Sequence, residues 1–170
     1  MLRRVFVVAA MALLLTPAFS LAQFKQGDWE LTLAGTGVTP GRVDAFQFGA
    51  SGSLGLFVAD QLEVGVRQSV SFTDFGPGSS LDGATRIFLD FHFDFGALQP
   101  FIGVNGGYVY GDDVHDTWEL APEFGLKWFV HGTTFVFGLV EYQIFLDNSS
   151  SNDAIKDGQF VYTLGIGFRF

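Results

Sequence analysis

The chain has no cysteine among its 170 residues. Disulfides, thiolate metal sites and cysteine nucleophiles are therefore closed to it. Cations are scarce as well: nine lysines and arginines stand against eighteen aspartates and glutamates, a formal charge of −9. That balance argues against a nucleic acid held on a basic face and favours electropositive partners. Long apolar runs are missing too. Beyond the N-terminal stretch no segment reaches the 18 consecutive apolar residues that mark a membrane helix. Yet 48% of the residues are hydrophobic, 21 of them phenylalanine. The apolar residues must be dispersed, and the manner of their dispersal is informative.

The first residues stand apart from the rest. Met1-Leu2-Arg3-Arg4 is a charged opening, Val5 to Leu15 an apolar stretch of eleven residues, and Ser20 and Ala22 a pair of small residues spaced as at a cleavage site. This is the layout of a secretory signal peptide, and eleven residues are too few to span a hydrocarbon core. The expected organisation is a signal peptide over 1–22 and one domain over 23–170, with formal charge −11 once Arg3 and Arg4 are gone.

Within that domain the period is two. Leu62, Val64, Val66, Val70 and Phe72 alternate with Glu63, Arg67, Ser69 and Ser71. Successive side chains of a strand point to opposite faces, so one face is aliphatic and the other polar. Ile87, Leu89, Phe91, Phe93 and Phe95 alternate with Arg86, Asp90, His92 and Asp94, and Phe88 alone breaks the pattern. Trp118 to Trp128 and Phe160 to Phe170 repeat it. Weaker versions begin at Trp29, Phe46 and Ile102. Thr133 to Phe145 is the poorest, because Phe135 and Phe137 share a parity with Glu141 and Gln143; it calls for a bulge or an aromatic plug. Eight strands result. Their connections alternate between tight turns, near Asp60, Ala97 and Gly132, and longer polar segments, as at 73–83 and 146–157.

Alternation fits a soluble barrel as well as a membrane one, so the direction of the apolar face has to be argued. A small barrel encloses room for a modest set of side chains. The repeated Phe, Trp, Tyr and Leu would overfill it, whereas facing lipid they meet no packing limit. The opposite face offers Gly, Ser and Thr to a narrow lumen. The expected fold is all-β: an eight-stranded antiparallel up-and-down transmembrane β-barrel, whose closure satisfies every backbone group without an open edge. Its lumen would hold Glu30, Glu63, Asp90, Asp94, Glu119, Glu123 and Glu141 with Arg67, Arg86, Lys127, Arg169 and His92. Buried charges are costly unless paired, so a network is expected. Excess acid there implies water in part of the lumen or protonated carboxyls. Tyr108, Tyr110, Trp118, Trp128, Tyr142 and Phe170 fall near strand ends, where aromatic girdles flank such barrels.

The closing segment, with Phe160, Tyr162, Leu164, Ile166, Phe168 and Phe170 alternating to a terminal aromatic, resembles the C-terminal signature of bacterial outer-membrane proteins. That resemblance implies an insertion signal read by the barrel-assembly machinery. Ala121 to Val130 and Val140-Glu141-Tyr142 likewise resemble the outer-membrane β-barrel domain family of OmpA-like and OmpX-like eight-stranded proteins. The likeness covers the whole mature chain and implies outer-membrane lipid and lipopolysaccharide as surroundings. No periplasmic peptidoglycan-binding domain is expected after the barrel, so a cell-wall tether is not implied.

No residue cluster points to catalysis. Asp90, His92 and Asp94 share one face of one strand, but alternate residues stand about 6.6 Å apart and no second histidine completes a metal site. His115 falls in a loop and His131 in a turn. Some barrels of this size modify lipid A with a His, a Ser and an acid, but His131-Gly132-Thr133 has no adjacent serine. Gly35-Thr36-Gly37 and Gly106-Gly107 read as close-packed strand positions, since no helix follows them. Asn148-Ser149-Ser150 marks an exposed loop. The expectation is a barrel without enzyme activity or cofactor, stabilising the envelope or presenting its loops to external partners. The alternatives are a narrow channel, a carrier for a small hydrophobic molecule, and a lipid A-modifying enzyme.

Overall fold

The structure, a computed structural model, describes residues 24–39, 47–74, 79–111, 117–146 and 158–170. The expected signal peptide, His115, the sequon at Asn148 and most of each long connection lie outside them. Among the described residues eight strands follow in order: β1 (Trp29–Thr39), β2 (Gln47–Ala59), β3 (Leu62–Asp74), β4 (Ser79–His92), β5 (Leu98–Gly111), β6 (Thr117–His131), β7 (Thr134–Phe145) and β8 (Gln159–Arg169). Each pairs antiparallel with its neighbour in sequence, and β1 with β8 closes the ring. Backbone bonds in both directions between Trp29 and Phe170 fasten the seam.

Two-residue turns, Asp60-Gln61 and Gly132-Thr133, join β2 to β3 and β6 to β7 at one end. That end also holds the β4–β5 connection and both described termini; we call it the turn end, and the opposite end the loop end. Strands of 11 to 15 residues are long for a soluble domain. At about 3.3 Å per residue and a tilt of about 40°, even 11 residues rise about 28 Å, enough for the apolar band of a membrane barrel.

The period of two becomes an inside-out distribution. Ile87 and Leu164 are 64% and 72% exposed on the outer surface, while Glu30, Glu63 and Glu123 are almost fully buried within. Water-soluble proteins bury carboxylates this way only when paired, and scatter rather than band their exposed apolar side chains. Tyr108 and Trp118 meet edge-on at the loop end, as do Tyr142 and Phe160 at a tilt. Trp128 and Phe170 stand at the turn end.

Phe135 and Phe137 settle the parity conflict of β7. Both point inward, and the β7–β8 register runs unbroken from Thr134 to Gln143, so the apparent misfit is an aromatic plug. Each faces a glycine across the ladder, Gly167 and Gly165, as Phe88 faces Gly65 and Phe101 faces Gly125. A Cβ on any of these glycines would run into the ring opposite. The glycines thus make room in a narrow lumen for side chains that would otherwise not fit.

Candidate functional site

The charged side chains line up because of strand parity. On β6, Glu119, Glu123 and Lys127 recur every fourth residue, so all three face inward at steps of about 13 Å along the strand. They anchor three levels of an ionic column.

Nearest the turn end, Lys127 Nζ donates to Glu30 at 2.6 and 2.7 Å and to Glu63 Oε2 at 3.0 Å. Four phenylalanine rings, of Phe24, Phe57, Phe101 and Phe135, surround the same ammonium at 5.1 to 5.8 Å from their centroids. The ring faces and two carboxylates together compensate an ammonium withdrawn from water. At mid-height Arg67 donates to both oxygens of Glu123 at 2.8 and 3.2 Å and to Glu141 at 3.1 Å. Asn105 donates to the same two carboxylates at 2.6 and 3.1 Å. Above them Arg86 bonds Glu119 and reaches Ser69 at 3.1 Å, with Glu141 3.8 Å away. Gln143 and Gln159 continue the chain toward the loop end, each bond 2.8 Å long.

Ten of the twelve residues expected in this network lie in the lumen, and two, Arg169 and Asp94, stand at its turn-end mouth, Asp94 outside the ion-paired column. Strand β4 ends at His92, and Asp94 is exposed in the connection beyond, where its Oδ1 accepts from Gly96 N at 2.9 Å. Backbone bonds from Phe93 N to Pro100 O and from Phe95 N to Leu98 O carry the pairing with β5 past His92, so Asp94 keeps its parity but stands beyond the buried column, where it caps its own turn. Arg169 sits at the mouth, 3.8 Å from Asp28 and donating to Gly132 O at 3.2 Å. Among the described residues seven buried carboxylates, the six of this column and Asp82 nearer the loop end, share the interior with the three buried cations Arg67, Arg86 and Lys127. The surplus oxygens press on the wall: Asp90 Oδ1 lies over Gly103 and Glu63 Oε1 over Gly55.

His92 belongs to packing more than to chemistry. Its ring stacks on Phe101 at 5.2 Å and tilts against Phe57 at 5.1 Å, and its Nε2 stands 3.4 Å from Glu63 Oε2. Among the described residues no group of His, Asp and Glu is arranged to hold a metal ion. His131, expected in a turn, is the exposed last residue of β6, paired with Thr134 across the Gly132-Thr133 turn. Sequence reasoning missed Phe24, Phe57, Phe101 and Asn105 as lumen residues. Phe57 and Phe101 have the inward parity of their strands, which was the available signal.

Phe160, Tyr162, Leu164, Ile166 and Phe168 alternate outward along β8, and the exposed Phe170 follows. Elsewhere on the outer face, among the described residues, a polar cluster interrupts the apolar band. Gln68, Thr85 and Tyr110, on three adjacent strands, bond one another at 2.7 and 2.8 Å.

A closed ladder, an apolar exterior and an ion-paired interior define a transmembrane β-barrel. Its fold is that of the eight-stranded bacterial outer-membrane proteins. The chain is similar to the outer-membrane protein OprG of Pseudomonas aeruginosa, with TM-score 0.63 and 15% identity over 88% of this chain and 99% of that one. It is similar also to the N-terminal barrel domain of Pseudomonas aeruginosa OprF, with TM-score 0.61 and 19% identity over 85% and 98%. Neisserial surface protein A gives TM-score 0.61 and 13% identity over 85% and 96%. No family model and no curated protein sequence matches the chain.

Proposed function

We propose that the chain is an integral outer-membrane protein without enzyme activity, whose barrel is closed to solutes and whose loops are the surface offered to the exterior. The lumen carries this reading. Arg67, Asn105, Glu123 and Glu141 join β3, β5, β6 and β7 across the middle of the barrel. Among the described residues an interior cavity beside them, lined by Glu30, Glu63, Asp90 and Lys127 among others, measures about 20 Å³. That is the space of one water, and a solute path needs a continuous file of them.

The same reading includes export with cleavage near Ala22, and insertion by the barrel-assembly machinery through the alternating residues that end at Phe170. Its surroundings are outer-membrane lipid and lipopolysaccharide. Incorporation into planar bilayers tests the closed lumen. A silent membrane containing barrels that migrate differently on gels before and after boiling is the expected result. Step currents that change with Arg86→Gln or Glu123→Gln would replace the proposal with a narrow channel. Unchanged lipid A mass spectra on expression and deletion are expected, and an altered acyl pattern would replace it with an enzyme.

A further inference from the structure

The segment before β1 is fastened to the turn end through its backbone. Gly27 N donates to Phe57 O at 2.8 Å, and Phe57 N to Asp28 O at 2.9 Å. Gln26 N donates to Asp60 Oδ1 at 2.9 Å, and Lys25 N to Asp28 Oδ2 at 3.0 Å. Gly27 has φ of 95°, a left-handed conformation that glycine adopts freely and that turns the segment back beneath the barrel. The fold-back drives Phe24 into the turn-end mouth, where it is 4% exposed.

The seat of that ring is specific. Phe57 lies parallel to it at 3.9 Å, Phe129 meets it edge-on at 5.4 Å, and His92 tilts against it at 5.2 Å. Lys127 Nζ stands 5.1 Å from its centroid and the Arg169 guanidinium 5.8 Å. Beside it opens a cup of about 780 Å³, lined among others by Phe24, Gln26, Asp60 and His92. Directly behind the ring lies the Lys127 level of the ionic column.

We propose that the turn-end mouth is a binding slot for one electron-rich aromatic ring, which the chain fills itself with Phe24, so that residues 24–28 act as a stopper between the cup and the charged lumen. The two cations favour a ring with a negative face, as in phenol or indole, and the parallel Phe57 requires it to be planar. With Phe24 withdrawn, cup and slot join, His92 passes from the buried edge of the cup to full exposure, and solvent reaches Lys127.

The absence of native cysteine makes the test direct. His92→Cys places a single thiol under Phe24, and its modification by a charged, water-soluble methanethiosulfonate is timed in the folded, detergent-solubilised protein. Adding Phe24→Ala is expected to accelerate labelling by about tenfold, the reaction following the open fraction of the mouth. Indole or phenol should then restore the slow rate by refilling the slot. Asp60→Ala, which removes the acceptor of Gln26 N without touching the lumen, is expected to accelerate labelling by a smaller factor of about three, and decides the matter alone if Phe24→Ala does not fold. Rates within about twofold of the Phe24 parent in the folded variant overturn the stopper. A fast rate in Phe24→Ala that neither aromatic slows overturns the slot.

Discussion

Replacing Lys127 by methionine is the most severe test of the interior column. Methionine keeps the aliphatic stem among Phe57, Phe101 and Phe135 and removes only the ammonium. Three carboxylate oxygens within 3.0 Å then lose their cation, in a part of the lumen where Glu30 and Glu63 are almost fully buried. Breaking a buried pair from one side costs about 3–5 kcal/mol, because the charge left behind has no solvent. With a slope of about 2 kcal/mol per molar urea, the midpoint of unfolding from detergent should fall by about 2 M. Loss of the unboiled gel mobility and tryptophan fluorescence both report it. The triple variant, with Glu30→Gln and Glu63→Gln added, should recover most of the loss, since replacing a whole buried ion group by neutral residues is often harmless. A single variant within about 0.5 M of the parent would refute the reasoning, and so would a triple no better than the single.

Ile87→Arg puts a charge on the middle of the apolar band and should cost about 2–4 kcal/mol in the same titration, where a soluble barrel would hardly notice an exposed arginine. Gly125→Ala adds a methyl group against the Phe101 ring and the Gly138 carbonyl, and should destabilise by about 1–3 kcal/mol, with Phe101→Leu in the same chain recovering part of the loss. Phe170→Ser should reduce the heat-modifiable fraction in cells severalfold while leaving the purified, refolded barrel near normal; equal losses in both would assign the residue to the seam with Trp29 and not to assembly.

The strands and their faces were legible because alternation is a local property, readable from Leu62 to Phe72 without knowing any neighbour. Parity put the charged side chains on one face without their pairing, and it left out Asp82, which shares the inward parity of β4. Which cation meets which carboxylate depends on the register between β3, β6 and β7, and nothing in the order of residues records that. Asp94 keeps the parity but stands at the open rim of the turn end, because alternation does not record how deep in the barrel a residue lies. Phe135 and Phe137 looked anomalous for a related reason: the glycines that receive them, Gly167 and Gly165, lie some thirty residues away on β8. Phe24 had no periodic signal at all. It sits outside every strand, and its burial comes from a single turn of backbone at Gly27.

The inward rings seated against glycines across the ladder have a mechanical consequence. A ring wedged between one backbone and the opposite side chains has no intermediate position, since a partial swing meets wall on either side. The bore therefore cannot dilate by degrees in response to load or temperature. It either keeps every wedge or drops one out entirely, and any opening of this tube should be abrupt and discrete.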